Sequence, residues 1–113
     1  MSLPWAEGQS EISIADYVRI KAASPDLVLL DVREPYELAM AAVTGALHIP
    51  MQTIPARIAE IPREVPVAVI CHHGARSMAV VNYLRKAGFE NTINLAGGIH
   101  AYANEADGSI PLY

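Results

Sequence analysis

Cys71 is the single cysteine of this chain, and the sequence sets it between two contrasting segments. Val67-Ala68-Val69-Ile70 is a continuous apolar run, as a buried strand should be. Cys71-His72-His73-Gly74-Ala75-Arg76 follows as a tight loop, and Ser77 opens an apolar-periodic helix through Lys86. Main-chain N–H groups and the helix dipole favour an anion at such a junction. A thiol held there ionises more readily, and the thiolate is the reactive form of cysteine. The N–H groups from His72 to Ser77 are expected to form the cradle. Gly74 permits backbone angles that a side chain would forbid. Arg76 carries a permanent charge and a planar donor fork that could hold an anionic substrate. Ser77 can cap the helix and hydrogen-bond within the loop.

The elements that must position this loop alternate along the chain. Glu11-Ile12 makes a short strand, and Ser13 with Asp16 marks a helix start. Ile14, Tyr17, Val18 and Lys21 fall on one face of that helix, which Ser24-Pro25-Asp26 breaks. Leu27 to Val32 reads as a strand buried on both faces. Pro35 suits the first turn of a short helix from about Glu34 to Met40. Thr44-Gly45 turns the chain into a strand at Leu47-His48-Ile49. Thr53 is expected to cap a helix with Ile54, Ile58 and Ile61 on one face. After the strand and helix around Cys71, Gly88 closes the helix, Thr92 to Leu95 forms a strand, and Gly97-Gly98 lead into a helix from Ile99 to Asn104. This alternation predicts an α/β fold with a central parallel sheet of about five strands and helices on both faces. Sites in such sheets lie at the carboxyl ends of strands. Cys71 and Asp31-Val32-Arg33 both follow strand ends, so neighbouring strands would give them one cleft. The organisation expected is a lead-in over residues 1–10 with Trp5 packed on the body, one domain over 11–105, and a tail over 106–113.

Composition bounds the function. The chain has 113 residues, 52% hydrophobic and 18% charged, which fits one globular domain rather than a disordered segment. The net charge of −4 and the lack of a basic run argue against nucleic acid or a membrane as partner. A lone cysteine forms no internal disulfide, and no run approaches a membrane span or a signal peptide, so a cytoplasmic protein is expected.

Four runs, in order, resemble a known family. Asp31-Val32-Arg33-Glu34, Gly45-Ala46-Leu47-His48-Ile49-Pro50, Cys71-His72-His73-Gly74-Ala75-Arg76-Ser77 and Asn94-Leu95-Ala96-Gly97-Gly98-Ile99 are similar to the motifs of single-domain rhodaneses, the rhodanese-like sulfurtransferases. The likeness runs from about Ser10 to Asn104. It implies a rhodanese fold and sulfurtransferase activity. Cys71 would take a sulfane sulfur from a donor such as thiosulfate or a persulfide and hold it as a persulfide. It would then pass the sulfur to cyanide, a thiol or another protein. The partners implied are a small sulfur donor and a thiophilic acceptor, with a protein as either one, and no cofactor. A lowered thiol pKa would serve the leaving step. One stretch departs from the pattern. Many relatives carry Gly-His-Ile-Pro where this chain has Ala41-Ala42-Val43-Thr44, so that histidine has no counterpart here.

Loop length bears on the chemistry. Thiolate phosphatases and arsenate reductases place five residues between cysteine and arginine, whereas four separate Cys71 from Arg76. The shorter loop encloses a smaller cradle, suited to one sulfur atom rather than a tetrahedral phosphate. A cysteine-dependent phosphatase or arsenate reductase is therefore the lesser enzymatic alternative. A protein-interaction or regulatory module on the same fold is the other, and the retained Cys71 counts against it.

Each site residue also has a plain structural reading. Cys71 could be a buried structural cysteine, and Arg76 a surface ion pair. His72 and His73 chiefly fill loop positions and supply N–H groups. Cys71, His72 and His73 are adjacent and lack the usual ligand spacing, so no metal site is expected. Asp31 and Arg33 read first as a turn cap and an ion-pairing arginine, with a place at the cleft border as the alternative. His48 and His100 read as packing or surface residues, and Gly97-Gly98 as a turn with close backbone packing.

Overall fold

The computed structural model describes residues 2–113; Met1, the first residue of the expected lead-in, lies outside them. Five parallel strands form one sheet in the order β1-β5-β4-β2-β3. They are β1 (Glu11–Ile12), β2 (Val28–Asp31), β3 (Leu47–His48), β4 (Val67–Ile70) and β5 (Thr92–Leu95). The helices are α1 (Ile14–Ala23), α2 (Pro35–Met40), α3 (Ile54–Arg57), α4 (Ala75–Lys86) and α5 (Gly98–Glu105). The predicted α/β architecture is the observed one.

Two apolar layers sandwich the sheet, and strand alternation sorts residues between them. Ala68, Ile70, Ile93 and Leu95 join Ile14, Tyr17 and Ile20 of α1 and Ile99 and Ala103 of α5. Leu30, Val67, Val69 and Cys71 join Ile54 of α3 and Val80, Val81 and Leu84 of α4. Each fully buried Leu or Ile contributes about 1.5–3 kcal/mol of hydrophobic stabilisation. Trp5 packs partly buried against the first layer, as expected. Ile110, within the segment read as a tail, is buried in that layer itself.

Three local expectations are corrected. The buried stripe of α1 is Ile14, Tyr17 and Ile20, whereas Val18 is 48% exposed. Lys21 instead reaches past the helix end, where Nζ donates to the Pro25 and Leu27 carbonyls at 2.8 and 2.7 Å. Thr53 holds the N-cap position of α3 but makes no capping hydrogen bond: its hydroxyl donates to the Pro50 carbonyl at 2.8 Å, inside a 3₁₀ turn over Met51–Thr53. The single helix expected there is divided into that turn, α3 and a second 3₁₀ turn, Ile58–Glu60. Finally, α4 starts at Ala75 rather than Ser77, with Gly74 as its N-cap at φ 113°.

The topology creates one crevice. The chain leaves β2 toward β3 on one side and leaves β4 toward β5 on the other. β2 and β4 are hydrogen-bonded neighbours, with Asp31 opposite Ile70. The loops from their carboxyl ends therefore diverge around a common point, the switch point at which open α/β sheets bind ligands.

Candidate functional site

The Cys71 loop is built mostly by backbone constraints. Cys71 continues the alternation of β4, so its side chain enters the α4 layer and the residue is 1% exposed. The Gly74 N–H donates to Cys71 Sγ at 3.1 Å. Ser77 Oγ lies 3.3 Å from the same sulfur. Ser77 has one hydroxyl proton and three neighbours within reach, Cys71 Sγ, the Gly74 carbonyl at 3.2 Å and Asn94 Oδ1 at 2.5 Å. Asn94 also donates from Nδ2 to the Gly74 carbonyl at 3.2 Å, which pins the loop to β5.

The cradle is narrower than the sequence suggested. Among the described residues, Gly74 supplies the one main-chain N–H bonded to the sulfur. Ala75 and the residues after it have already entered α4, where their amides align with the helix axis. Ser77 serves the sulfur and Asn94 rather than capping the helix.

Two glycines make this approach possible. Gly74 takes a left-handed conformation that L side chains rarely adopt. At Gly98, an added Cβ would meet the Cys71 and His72 carbonyl oxygens well inside 3.0 Å. The start of α5 is thereby docked on the loop: the Ile99 N–H donates to the Cys71 carbonyl at 2.9 Å and the His100 N–H to the His72 carbonyl at 3.1 Å.

The facing loop is held by charge. Arg33 is fully buried and pairs with Asp31 at 2.7 Å. Its guanidinium also donates to the Ala41 carbonyl at 2.8 Å and the Tyr113 hydroxyl at 2.9 Å. Burial opposes the charge of Arg33, but Asp31 and Tyr113 outweigh it and hold the guanidinium protonated. His48 Nε2 donates to the Arg33 carbonyl at 2.7 Å. Asp31 and Arg33 thus take the structural role read first from the sequence, and Tyr113 links them to the cleft.

Arg76 reaches across the crevice to this loop. Its two terminal nitrogens donate to Glu37 Oε1 at 2.6 Å and Oε2 at 2.9 Å. The fork expected to grip a substrate anion is therefore engaged by Glu37. The Arg76 fork holds the Glu37 carboxyl down at about 2 against the opposing effect of burial. The Tyr113 hydroxyl donates to Glu37 Oε2 at 2.7 Å, and its ring stacks on His72 at 3.9 Å with 4° between planes. Burial, followed by the proximity of His73, lowers the His72 pKa and favours the neutral imidazole.

Comparison with known proteins follows this geometry. A family model described as "Rhodanese-like domain" matches residues 15–105. The chain belongs to the rhodanese-like family. This rhodanese-like domain is 42% identical over 82 residues to a sulfurtransferase of Allochromatium vinosum, covering 73% of this chain and 77% of that protein. It is 38% identical over 78 residues to the thiosulfate sulfurtransferase GlpE of Tolumonas auensis, covering 69% and 74%. Among solved structures, a rhodanese-related protein of Thermoplasma volcanium superposes with a TM-score of 0.78 at 34% identity, covering 92% of this chain and 99% of that one. These likenesses support sulfur transfer as the general activity.

Four residues of this rhodanese-like domain's cleft were missed by sequence reasoning. Asn94 left a signal, as a polar residue in a strand that is buried throughout. Glu37 lies in α2, just beyond the Asp31-Val32-Arg33-Glu34 run, and gives no local sign of its partner, 39 positions away. His100, read as packing or surface, lies beside the loop histidines, with rings 5.0 Å from His73 and 6.3 Å from His72. Tyr113 lies in the segment read as a tail and left no signal. No helix among the described residues is long and apolar enough to cross a membrane.

Proposed function

We propose that this domain carries a sulfane sulfur on Cys71 as a persulfide. The observation that carries the reading is Cys71 Sγ held beneath the Gly74 N–H, at the start of α4, in the crevice between β2 and β4. A donated N–H and the helix dipole both favour the sulfur anion. With thiosulfate as donor, the Cys71 thiolate attacks the sulfane sulfur, a new S–S bond forms, and sulfite leaves with the electron pair of the broken bond. An acceptor nucleophile (cyanide, a thiol or a protein thiolate) then attacks the outer sulfur, and Cys71 departs as thiolate. Thiosulfate, a low-molecular-weight persulfide and a protein persulfide all fit this chemistry.

The engagement of Arg76 reshapes the donor site. With its fork on Glu37, the anion of the donor meets the first-turn amides of α4, which have no intrahelical acceptor. The same engagement weighs against phosphatase chemistry, which needs a free guanidinium for the phosphate oxygens. Because Cys71 is buried, transfer also requires the loop to make room, and its exposed member His73 is the one free to yield.

The test is intact mass after incubation with a donor panel, paired with cyanide-dependent thiocyanate formation. Wild type gains one sulfur and turns over; Cys71→Ser does neither. Equal thiocyanate formation by both proteins would overturn the reading. A partner-binding domain whose Cys71 never acquires sulfur would support the module alternative.

A further inference from the structure

We propose that His72, His73 and His100 bind a transition-metal dication of borderline softness, with Zn²⁺ as the probe, at the lip of the Cys71 loop. Each residue offers one ring nitrogen, and the three nitrogens lie within 4.8 Å of one another. A tetrahedral zinc with Zn–N bonds of about 2.0–2.1 Å needs its ligands about 3.3 Å apart, so the rings have little distance to close. Two of the three histidines carry an unpartnered ring nitrogen: His72 Nε2 and His100 Nδ1 are shut from solvent and have no hydrogen-bond partner. A buried polar group without a partner is costly, and ligation through these nitrogens would relieve that penalty.

The frame is already assembled. His72 and His100 come from two segments locked together by the main-chain bonds from Ile99 to Cys71 and from His100 to His72. Gly98 allows that contact because a side chain there would force the segments apart. The His72 ring is sandwiched between Tyr113 at 3.9 Å and His73 at 4.0 Å, which limits its rotation. His73 is exposed and acts as the movable arm. Three imidazoles suit Zn²⁺, Cu²⁺ or Ni²⁺ rather than Mg²⁺ or Ca²⁺, and they leave a fourth position for water.

This set differs from the adjacent Cys71-His72-His73 trio that the sequence argued against. His100, brought in by α5, takes the place of the thiol, whose side chain belongs to the α4 layer. Binding is thus independent of whether Cys71 carries sulfur.

The experiment is calorimetric titration of the metal-stripped full chain with Zn²⁺ at neutral pH, with Co²⁺ absorption as a second readout. Wild type is expected to bind one equivalent. Its Co²⁺ complex should show ligand-field bands without a thiolate-to-cobalt charge-transfer band. Cys71→Ser should bind as wild type, while His100→Gln and His73→Gln weaken binding roughly tenfold or more. His73 is exposed, so its variant reports even if His100→Gln fails to fold. Absence of saturable binding would overturn the proposal. So would wild-type affinity in His73→Gln, or loss of binding in Cys71→Ser with a charge-transfer band in wild type.

Discussion

The loops that leave β2 and β4 stand side by side at one end of the sheet and are held by opposite means. The β2 loop is held by side chains: a buried guanidinium gathers Asp31, the Ala41 carbonyl and Tyr113 around itself. The β4 loop is held by backbone: a left-handed Gly74, an amide on sulfur, and two carbonyls docked on the start of α5. On the proposed persulfide chemistry, the difference follows from what each does. A sulfur that is repeatedly attacked and released is best served by fixed amide dipoles, which need no rearrangement as charge comes and goes. A supporting wall can use a buried ion pair, whose removal in halves is costly. Glu37–Arg76 joins the two, with Glu37 buried and Arg76 35% exposed in the side chain.

The largest expected effect breaks the charged side. Arg33→Met strands Asp31 without its partner in the interior, which typically costs about 3–5 kcal/mol. Urea unfolding would read this as a large fall in midpoint. Removing both charges, as Asp31→Leu with Arg33→Met, should recover part of the loss, because no unpaired charge is left behind. A single variant within about 1 kcal/mol of wild type would show that the pair is no lock.

The next effect breaks the backbone side. Gly98→Ala drives a Cβ into the Cys71 and His72 carbonyls and should cost about 1–3 kcal/mol as overpacking. It should also slow persulfide formation, because those carbonyls fix the loop that presents Sγ. Unchanged donor kinetics in a folded Gly98→Ala protein would mean that docking on α5 does not set the sulfur geometry.

This contrast also decides what could be read in advance. The strands, the crevice and the Cys71 loop were legible because apolar runs, strand ends and a glycine-containing turn are local signals. The start of α4 was misplaced by two residues because Gly74 caps through its backbone conformation, while Ser77 looked like the capping side chain. The pairing of Arg76 with Glu37 was not legible, since partners 39 positions apart meet only once β2 and β4 are neighbours. Val18 was placed on the buried face because it lies four residues after Ile14, yet Ile20, three residues after Tyr17, completes the stripe. Tyr113, 80 positions from Arg33, could be placed only by the folded chain.

The bridge between the loops titrates. Arg76 holds Glu37 at about 2, below its ordinary value of 4.5, so the folded state favours the carboxylate. The stability from this pair is present above pH 4.5 and is lost as pH falls toward 2. The contribution is about 2 kcal/mol once the solvent screening of Arg76 is discounted. Glu37→Gln should therefore be less stable than wild type at pH 7, and the difference should shrink in acid. A difference that stays constant down to pH 2 would remove Glu37 as the titrating group.

The smallest effect sharpens the comparison at its outer edge. Tyr113→Phe keeps the ring on His72 but removes the hydroxyl that accepts from Arg33 and donates to Glu37. Both partners retain other hydrogen bonds, so the loss should be about 1 kcal/mol at neutral pH. Burial pushes the Tyr113 hydroxyl up to about 12, with Arg33 opposing and Glu37 adding to the rise. A raised pKa means that the unfolded chain loses its proton first, so wild-type stability falls as pH climbs from 10 to about 12. Tyr17 is also pushed up to about 12, by burial and then by Tyr102, and falls in the same window. Only the difference between wild type and Tyr113→Phe isolates Tyr113, because Tyr17 is common to both. Stability curves measured in parallel from pH 9 upward should converge as the wild-type hydroxyl ionises. Parallel curves would mean that Tyr113 rests on His72 without its proton being held between the two loops.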